Sequence, residues 1–262
     1  MDIRYRVCLI QVETGSEPEK NLERLFTLIE RASEARPDFL VVPEMFEIVP
    51  RADDADRYAR RIPDELTERL AAAARRCSSN LIAGSIIERD GDRLYNTCPV
   101  FDRKGNLAGV YRKIHLFDAF SYGESKTLTS GGSPSLFTLD GLPFGVAVCY
   151  DVRFPELFRR YALDGAKVVF VPSAFFQPNH DHWELAVRAR ALDNGLYVIG
   201  CCQSGRRFVG RSMAADPWGI VVASMGTGEG YVSVDVDPAV VDETRRKLPL
   251  LENRRFDVNM RG

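Results

Sequence analysis

The chain has 262 residues, with 45% hydrophobic and 27% charged side chains and 35 Lys and Arg against 37 Asp and Glu. That is long enough for one large core, and the net charge of −2 gives no reason to expect a polyanionic partner. No apolar run approaches the roughly 20 residues of a membrane span, and the short basic clusters, such as Arg75-Arg76 and Arg245-Arg246-Lys247, read as solvated helix faces. Arg6 to Val12 reads as a strand, Pro18 to Ala35 as an amphipathic helix, Phe39 to Pro43 as a strand and Pro63 to Cys77 as a helix. Asn80 to Glu88 reads as one strand, and Leu94 to Lys113 as a hairpin turning at Arg103-Lys104-Gly105-Asn106. Asp118 to Pro134 is a polar, Gly-rich loop long enough to line a site. Gly145 to Cys149 and Lys167 to Ser173 read as strands around a helix from Pro155 to Asp164. A helix from His182 to Asn194, a strand from Leu196 to Gln203 and a hairpin from Arg211 to Met225 follow. Tyr231 to Val236 is a last strand and Pro238 to Lys247 a short helix. Strands alternating with helices predict an α/β fold, and the hairpins make its sheet mixed.

Three strand ends carry reactive side chains. Phe39-Leu40-Val41-Val42 runs into Pro43-Glu44, the strand before Tyr111-Arg112 ends on Lys113, and Gly145-Val146-Ala147-Val148 ends on Cys149. Ligand sites in α/β folds gather at the carboxyl ends of strands. A carboxylate, an amine and a thiol there supply a base, an oxyanion partner and a nucleophile. Phe154-Pro155-Glu156 reads as a helix start close to Cys149, which favours thiolate over thiol.

These blocks resemble the three catalytic motifs of the nitrilase, or carbon–nitrogen hydrolase, superfamily, in that family's order. Val171-Pro172-Ser173-Ala174, His182-Trp183-Glu184, Arg188 to Asn194 and Asp216-Pro217-Trp218-Gly219 extend the resemblance over nearly the whole chain. It implies a four-layer α-β-β-α sandwich as one domain over residues 1–262, the last ~20 residues forming a C-terminal tail. It implies a Glu44, Lys113 and Cys149 triad that needs no metal or cofactor. Glu124, in Glu124-Ser125-Lys126-Thr127-Leu128, matches a second family carboxylate that supports the lysine or helps to place substrate and water. Tyr150, Arg153, Ser173 and Ala174 are the expected substrate-binding residues. Arg153, four residues after the nucleophile, either grips a substrate carboxylate bidentately or pairs internally with Asp151, Glu156 or Asp193.

The resemblance is fullest to the branch of omega-amidases and deaminated-glutathione amidases. The expected reaction is hydrolysis of a short, carboxylate-bearing amide to acid and ammonia through a Cys thioester. An N-carbamoyl hydrolase or a nitrilase on the same triad is the alternative, as is a catalytically idle interaction protein, against which the intact triad argues. A metal-dependent phosphohydrolase would need more His, Asn and acidic ligands than the chain's three histidines, His115, His180 and His182, suggest. Six cysteines without a Cys-x-x-Cys pair, and an N-terminus that moves directly into a strand, predict a reducing cytoplasm. The partners expected are a small amide and a second copy of the chain, in a homodimer or larger homo-oligomer, with neither nucleic acid nor membrane.

Overall fold

The structure is a computed structural model that describes residues 4–51, 54–120 and 122–258. In chain order its strands are β1 (Tyr5–Gln11), β2 (Phe39–Val41), β3 (Asn80–Ile82), β4 (Ile86–Asp90), β5 (Arg93–Phe101), β6 (Leu107–Arg112), β7 (Asp118–Ala119) and β8 (Tyr122–Gly123). The later ones are β9 (Leu136–Leu139), β10 (Leu142–Val146), β11 (Val168–Ser173), β12 (Tyr197–Cys202), β13 (Met213–Ala215), β14 (Val221–Ser224) and β15 (Gly230–Val236). The helices are α1 (Pro18–Ser33), α2 (Glu65–Cys77), α3 (Pro155–Leu163), α4 (His180–Asn194) and α5 (Pro238–Lys247).

The strands form two large mixed sheets. One runs β15-β1-β2-β3-β5-β4, with β6 also paired to β5; the other runs β14-β13-β12-β11-β10-β9. The parallel pairs β1–β2, β2–β3, β10–β11 and β11–β12 form the centres, and antiparallel strands flank them. Side chains on a strand alternate between faces, and the buried residues follow that alternation. Cys8, Ile10, Leu40, Val42, Leu81 and Ala83 pack under α1 and α2. Val7, Leu9, Phe39, Val41 and Ile82 point the other way and join the second sheet's Phe144, Val146 and Phe170. Phe39 lies 5.6 Å from Phe144 and 5.7 Å from Phe170 at that inter-sheet seam. Phe158, Tyr161, Trp183, Val187 and Ala191 bring α3 and α4 onto the second sheet's outer face. The layers are therefore helix, sheet, sheet, helix.

Helix ends follow the local chemistry. Pro18, Pro155 and Pro238 occupy first-turn positions, Asp64 and Thr67 close a reciprocal cap on α2, and Gly195 ends α4 at φ 55°. α5 is tied down by Arg245, whose guanidinium donates to the Gly195 and Ala166 carbonyls at 3.0 and 2.9 Å.

Two expectations from the sequence need correction. Asn80 to Glu88 is not one strand: Gly84, at φ 57°, breaks it, so β3 and β4 pair separately with β5. A Cβ at Gly84 would lie 2.1 Å from the Pro43 carbonyl oxygen, so the bare glycine lets the segment before Glu44 approach. The second correction is at Cys149. β10 ends at Val146, because the Val148 amide donates to the Asp151 carboxylate at 2.8 Å and Cys149 turns to φ 49°, opening a 3-10 helix over Cys149–Arg153.

Candidate active site

Glu44, Lys113 and Cys149 each lie one to three residues past a strand's carboxyl end, two from the first sheet and one from the second. Lys113 and Glu44 are buried side by side, Nζ 3.0 Å from Oε1. Glu124 closes the group, with Lys113 Nζ 2.9 Å from its Oε2. The carboxylates are fixed by neutral donors as well. Asn96 Nδ2 donates to Glu44 at 2.9 Å and to Glu124 at 3.3 Å, the Ala174 amide donates to Glu44 Oε2 at 2.8 Å, and the Phe117 amide donates to Glu124 Oε2 at 2.7 Å. The backbone under Glu44 is held too. Gln203 Nε2 donates to the Glu44 and Met45 carbonyls at 2.6 and 3.0 Å, at the point where Met45 turns to φ 52°.

The electrostatics follow from burial and charge. Burial alone pulls the Lys113 ammonium down, but Glu124 and Glu44 outweigh it and hold the group well above the ordinary lysine value. Burial raises Glu124, Glu44 adds to that, and Lys113 opposes it. The Cys149 thiol is pushed well above its ordinary value by burial first and by the Glu44 charge second, with Lys113 pulling the other way. This corrects the expectation of a standing thiolate. A 3-10 helix of five residues (Cys149–Arg153) offers too little dipole to overcome desolvation beside a carboxylate.

A second set of bonds fixes the distance between the Cys149 and Lys113 segments. The fully buried Asp151 carboxylate accepts from Tyr111 Oη at 2.7 Å, from the Val148 amide at 2.8 Å and from the His115 amide at 3.0 Å. His115 Nδ1 lies 2.7 Å from it, and the ring stacks on Phe154 with centroids 3.7 Å apart. Tyr111 and His115 flank Lys113, while Val148 and Asp151 flank Cys149, so one carboxylate clamps the two segments together.

Above Cys149 is a cavity of about 40 Å³, lined by Glu44, Lys113 and Glu124 and walled by Phe117, Tyr122 and Phe176. That is room for about three water-sized groups, the size of an amide head and a short stem. Tyr150, Arg153 and Ala174 also line it. Ser173 does not: its side chain is fully buried and its Oγ donates to the Val171 carbonyl at 3.2 Å. Arg153 has none of the internal partners considered from sequence. Asp151 is committed to Tyr111 and His115, Asp193 pairs with Arg190, and no carboxylate pairs with Arg153 among the described residues. Its guanidinium lies 5.0 Å from the Phe175 ring centroid, and Nη2 is 3.4 Å from His182 Nδ1. Sequence reasoning missed Asn96, Asp151 and the cavity residue Asn179. Asn96 did leave a signal, an amide inside a strand that turns out to be paired on both edges.

The profile of the carbon–nitrogen hydrolases matches residues 6–246. The chain belongs to that family. This carbon–nitrogen hydrolase is 38% identical to the human omega-amidase NIT2 over 265 residues, covering 97% of this chain and 96% of that protein. It superposes on the crystal structure of Saccharomyces cerevisiae Nit3, a member of branch 10 of the nitrilase superfamily, with a TM-score of 0.88 at 34% identity and 97% coverage of each chain. It also matches a variant of the amidase from Nesterenkonia sp. AN1, with a TM-score of 0.82, 25% identity and coverage of 96% of this chain and 94% of that one. In that amidase the acetamide moiety of fluoroacetamide is covalently added at the active-site cysteine. The protein is thus a hydrolase of carbon–nitrogen bonds.

Proposed function

We propose that this hydrolase is an amidase that cleaves the primary amide of a short, carboxylate-bearing substrate through a thioester on Cys149. The observation that carries the reading is the meeting of Cys149 with Glu44 and Lys113 in one cavity, the last two 3.0 Å apart. Because the resting thiol holds its proton, Sγ attacks the amide carbon as Glu44 takes that proton. Negative charge passes from the carboxylate to the substrate oxygen. Lys113 and the Tyr150 amide, in the first turn of the 3-10 helix where no intrahelical acceptor exists, receive it. Glu44 then protonates the nitrogen, the C–N bond breaks and ammonia leaves. Water, deprotonated by Glu44, attacks the thioester; the C–S bond breaks and the proton returns to sulfur. Glu124 keeps Lys113 charged throughout.

Arg153 supports the choice of substrate. A guanidinium at the cavity wall with rings and an imidazole nitrogen around it, and no carboxylate paired to it among the described residues, is matched to an incoming carboxylate. The omega-amidase relatives point the same way. The test is ammonia release from succinamate and 2-oxoglutaramate against neutral amides of equal length. The ω-monoamides should be strongly preferred, and Arg153→Lys should lower kcat/KM on them about tenfold to a hundredfold. Better turnover of neutral amides, N-carbamoyl compounds or nitriles, with selectivity unaltered in Arg153→Lys, would overturn the carboxylate reading and leave the Glu44-Lys113-Cys149 assignment standing.

We also infer a homodimer. Leu185 and Leu192 are exposed on α4, and Trp218 and Ile220 are exposed on the β13–β14 hairpin, which Arg188 ties to that helix through the Gly219 carbonyl. Sedimentation at micromolar concentration checks it: a monomer there overturns it.

A further inference from the structure

A second cleft, of about 450 Å³, opens beside the catalytic cavity and shares Val49 with it. Arg51 lines it, and the loop after β12 adds Arg206 and Arg207, both exposed. Arg207 stands on the seam between the two spaces. Its guanidinium lies 5.8 Å from the centroid of Phe176, which lines the catalytic cavity, and 5.4 Å from that of Phe208, which lines the cleft. Its charge also reaches the cavity wall: burial and the Glu124 and Glu44 charges push the Tyr122 hydroxyl up to about 12, while Lys113 and Arg207 pull it back.

The loop is held in place. The Arg207 carbonyl accepts from the Gln177 amide at 2.9 Å, and Phe176 and Phe208 form an antiparallel bridge. Two acids share the cleft, Glu13 and Asp54, and the Glu13 carboxylate sits tightly beneath Gly205, where a Cβ would come within 2.4 Å of its oxygen. Neither acid pairs with Arg206 or Arg207, and neither arginine forms an ion pair among the described residues. Both guanidiniums keep their in-plane donors for a ligand.

We propose that this cleft is a second anion subsite, in which Arg207, with Arg206, binds another carboxylate carried on an extension of the substrate. The inference rests on the amidase reading above and deepens it. A short ω-monoamide fills the catalytic cavity and meets Arg153; a branch leaving past Phe176 meets Arg207. The preferred substrates are then ω-amides bearing two carboxylates, one near and one distal.

N-succinylglutamine and its distal methyl ester provide the test, since they share the side-chain amide and the α-carboxylate and differ only in the far charge. The wild-type protein should show a kcat/KM about five- to tenfold higher on the free acid. The effect is modest because Arg207 is exposed, and it should shrink in about 0.5 M salt. Arg207→Gln, and Arg206→Gln with Arg207→Gln, should remove the preference while succinamate turnover stays within about twofold, which also reports an intact fold. Equal rates on acid and ester, a preference that survives the double variant, or failure to hydrolyse either compound while succinamate is cleaved would overturn the subsite. If neither succinamate nor the two glutamine compounds are cleaved, the amidase reading is what fails; if Arg153→Lys leaves succinamate cleavage unchanged, the role of Arg153 fails, and the acid-to-ester ratio still decides the subsite separately.

Discussion

The floor of the site and its mouth are built on opposite plans. At the floor every charge is answered: Lys113 lies against Glu44 and Glu124, and Asn96, Ala174 and Phe117 donate to the remaining carboxylate positions. At the mouth Arg153 and Arg207 lie over aromatic rings, neither paired with a carboxylate among the described residues. A saturated cluster resists rearrangement and keeps reacting groups in register, whereas open donors wait for a ligand. On the proposed reading, chemistry resides in the first region and selectivity in the second, so substitutions in the two should differ in kind.

The largest effect belongs to the floor. Cys149→Ala should abolish turnover with little change in stability, because only a small volume is removed. Lys113→Ala should lower kcat about a hundredfold to a thousandfold, the scale of a lost oxyanion partner. Steady-state ammonia release checks both; a substantial rate in purified Cys149→Ala would break the contrast at its root. The same region predicts a labelling pattern. The raised, buried Cys149 thiol should react with fluoroacetamide, which carries an amide, ahead of the more exposed Cys77, while a bulky maleimide should label Cys77 first. Peptide mapping with the order reversed would count against Glu44-assisted attack.

Asn96→Ala comes next. Glu44 and Glu124 each lose a donor; burial already raises the Glu124 carboxylate, the loss should push it higher, and the acid limb of the kcat/KM profile should move to higher pH. An unmoved limb with a uniformly lowered rate would reduce Asn96 to packing. At the mouth, Arg153→Lys should change selectivity more than kcat on neutral amides, as set out above.

The last effect falls on the fold, away from the rate. All six cysteines have thiols raised above the ordinary value of 9.0, chiefly by burial. Above that pH the unfolded chain ionises while the folded chain retains its protons, so the folded state binds more protons and stability falls as pH rises. Each such thiol contributes up to about 1.4 kcal/mol per pH unit there. The Tm should therefore drop between about pH 9 and pH 10, and Cys98→Ala, costly in itself, should make the drop shallower. A flat Tm would show the thiols ionising equally in both states.

The fold was largely legible because its signals are local. The apolar run Val7 to Ile10, buried on both faces, Pro at helix starts and glycine at the end of α4 all act within a few residues. The meeting of Glu44, Lys113 and Cys149 was foreshadowed for the same reason, since each sits in a short motif at a strand end. The rest depends on distant partners. Asn96 matters because Glu44 comes to it across 52 residues, and Asp151 because Tyr111 does across 40. The break at Gly84 answers to Pro43, and Ser173 turned inward through its bond to Val171. No window of sequence displays such meetings.

The division of the proposed triad between two sheets has a mechanical consequence. Glu44 and Lys113 ride on one sheet and Cys149 on the other, and the Phe39, Phe144 and Phe170 rings lie between them. The reacting atoms therefore act as a gauge of how the sheets seat on one another. On the proposed mechanism, a slip of a few tenths of an ångström at those rings, too small to register as unfolding, should appear in the rate. Turnover would then serve as a strain sensor for the protein's own core.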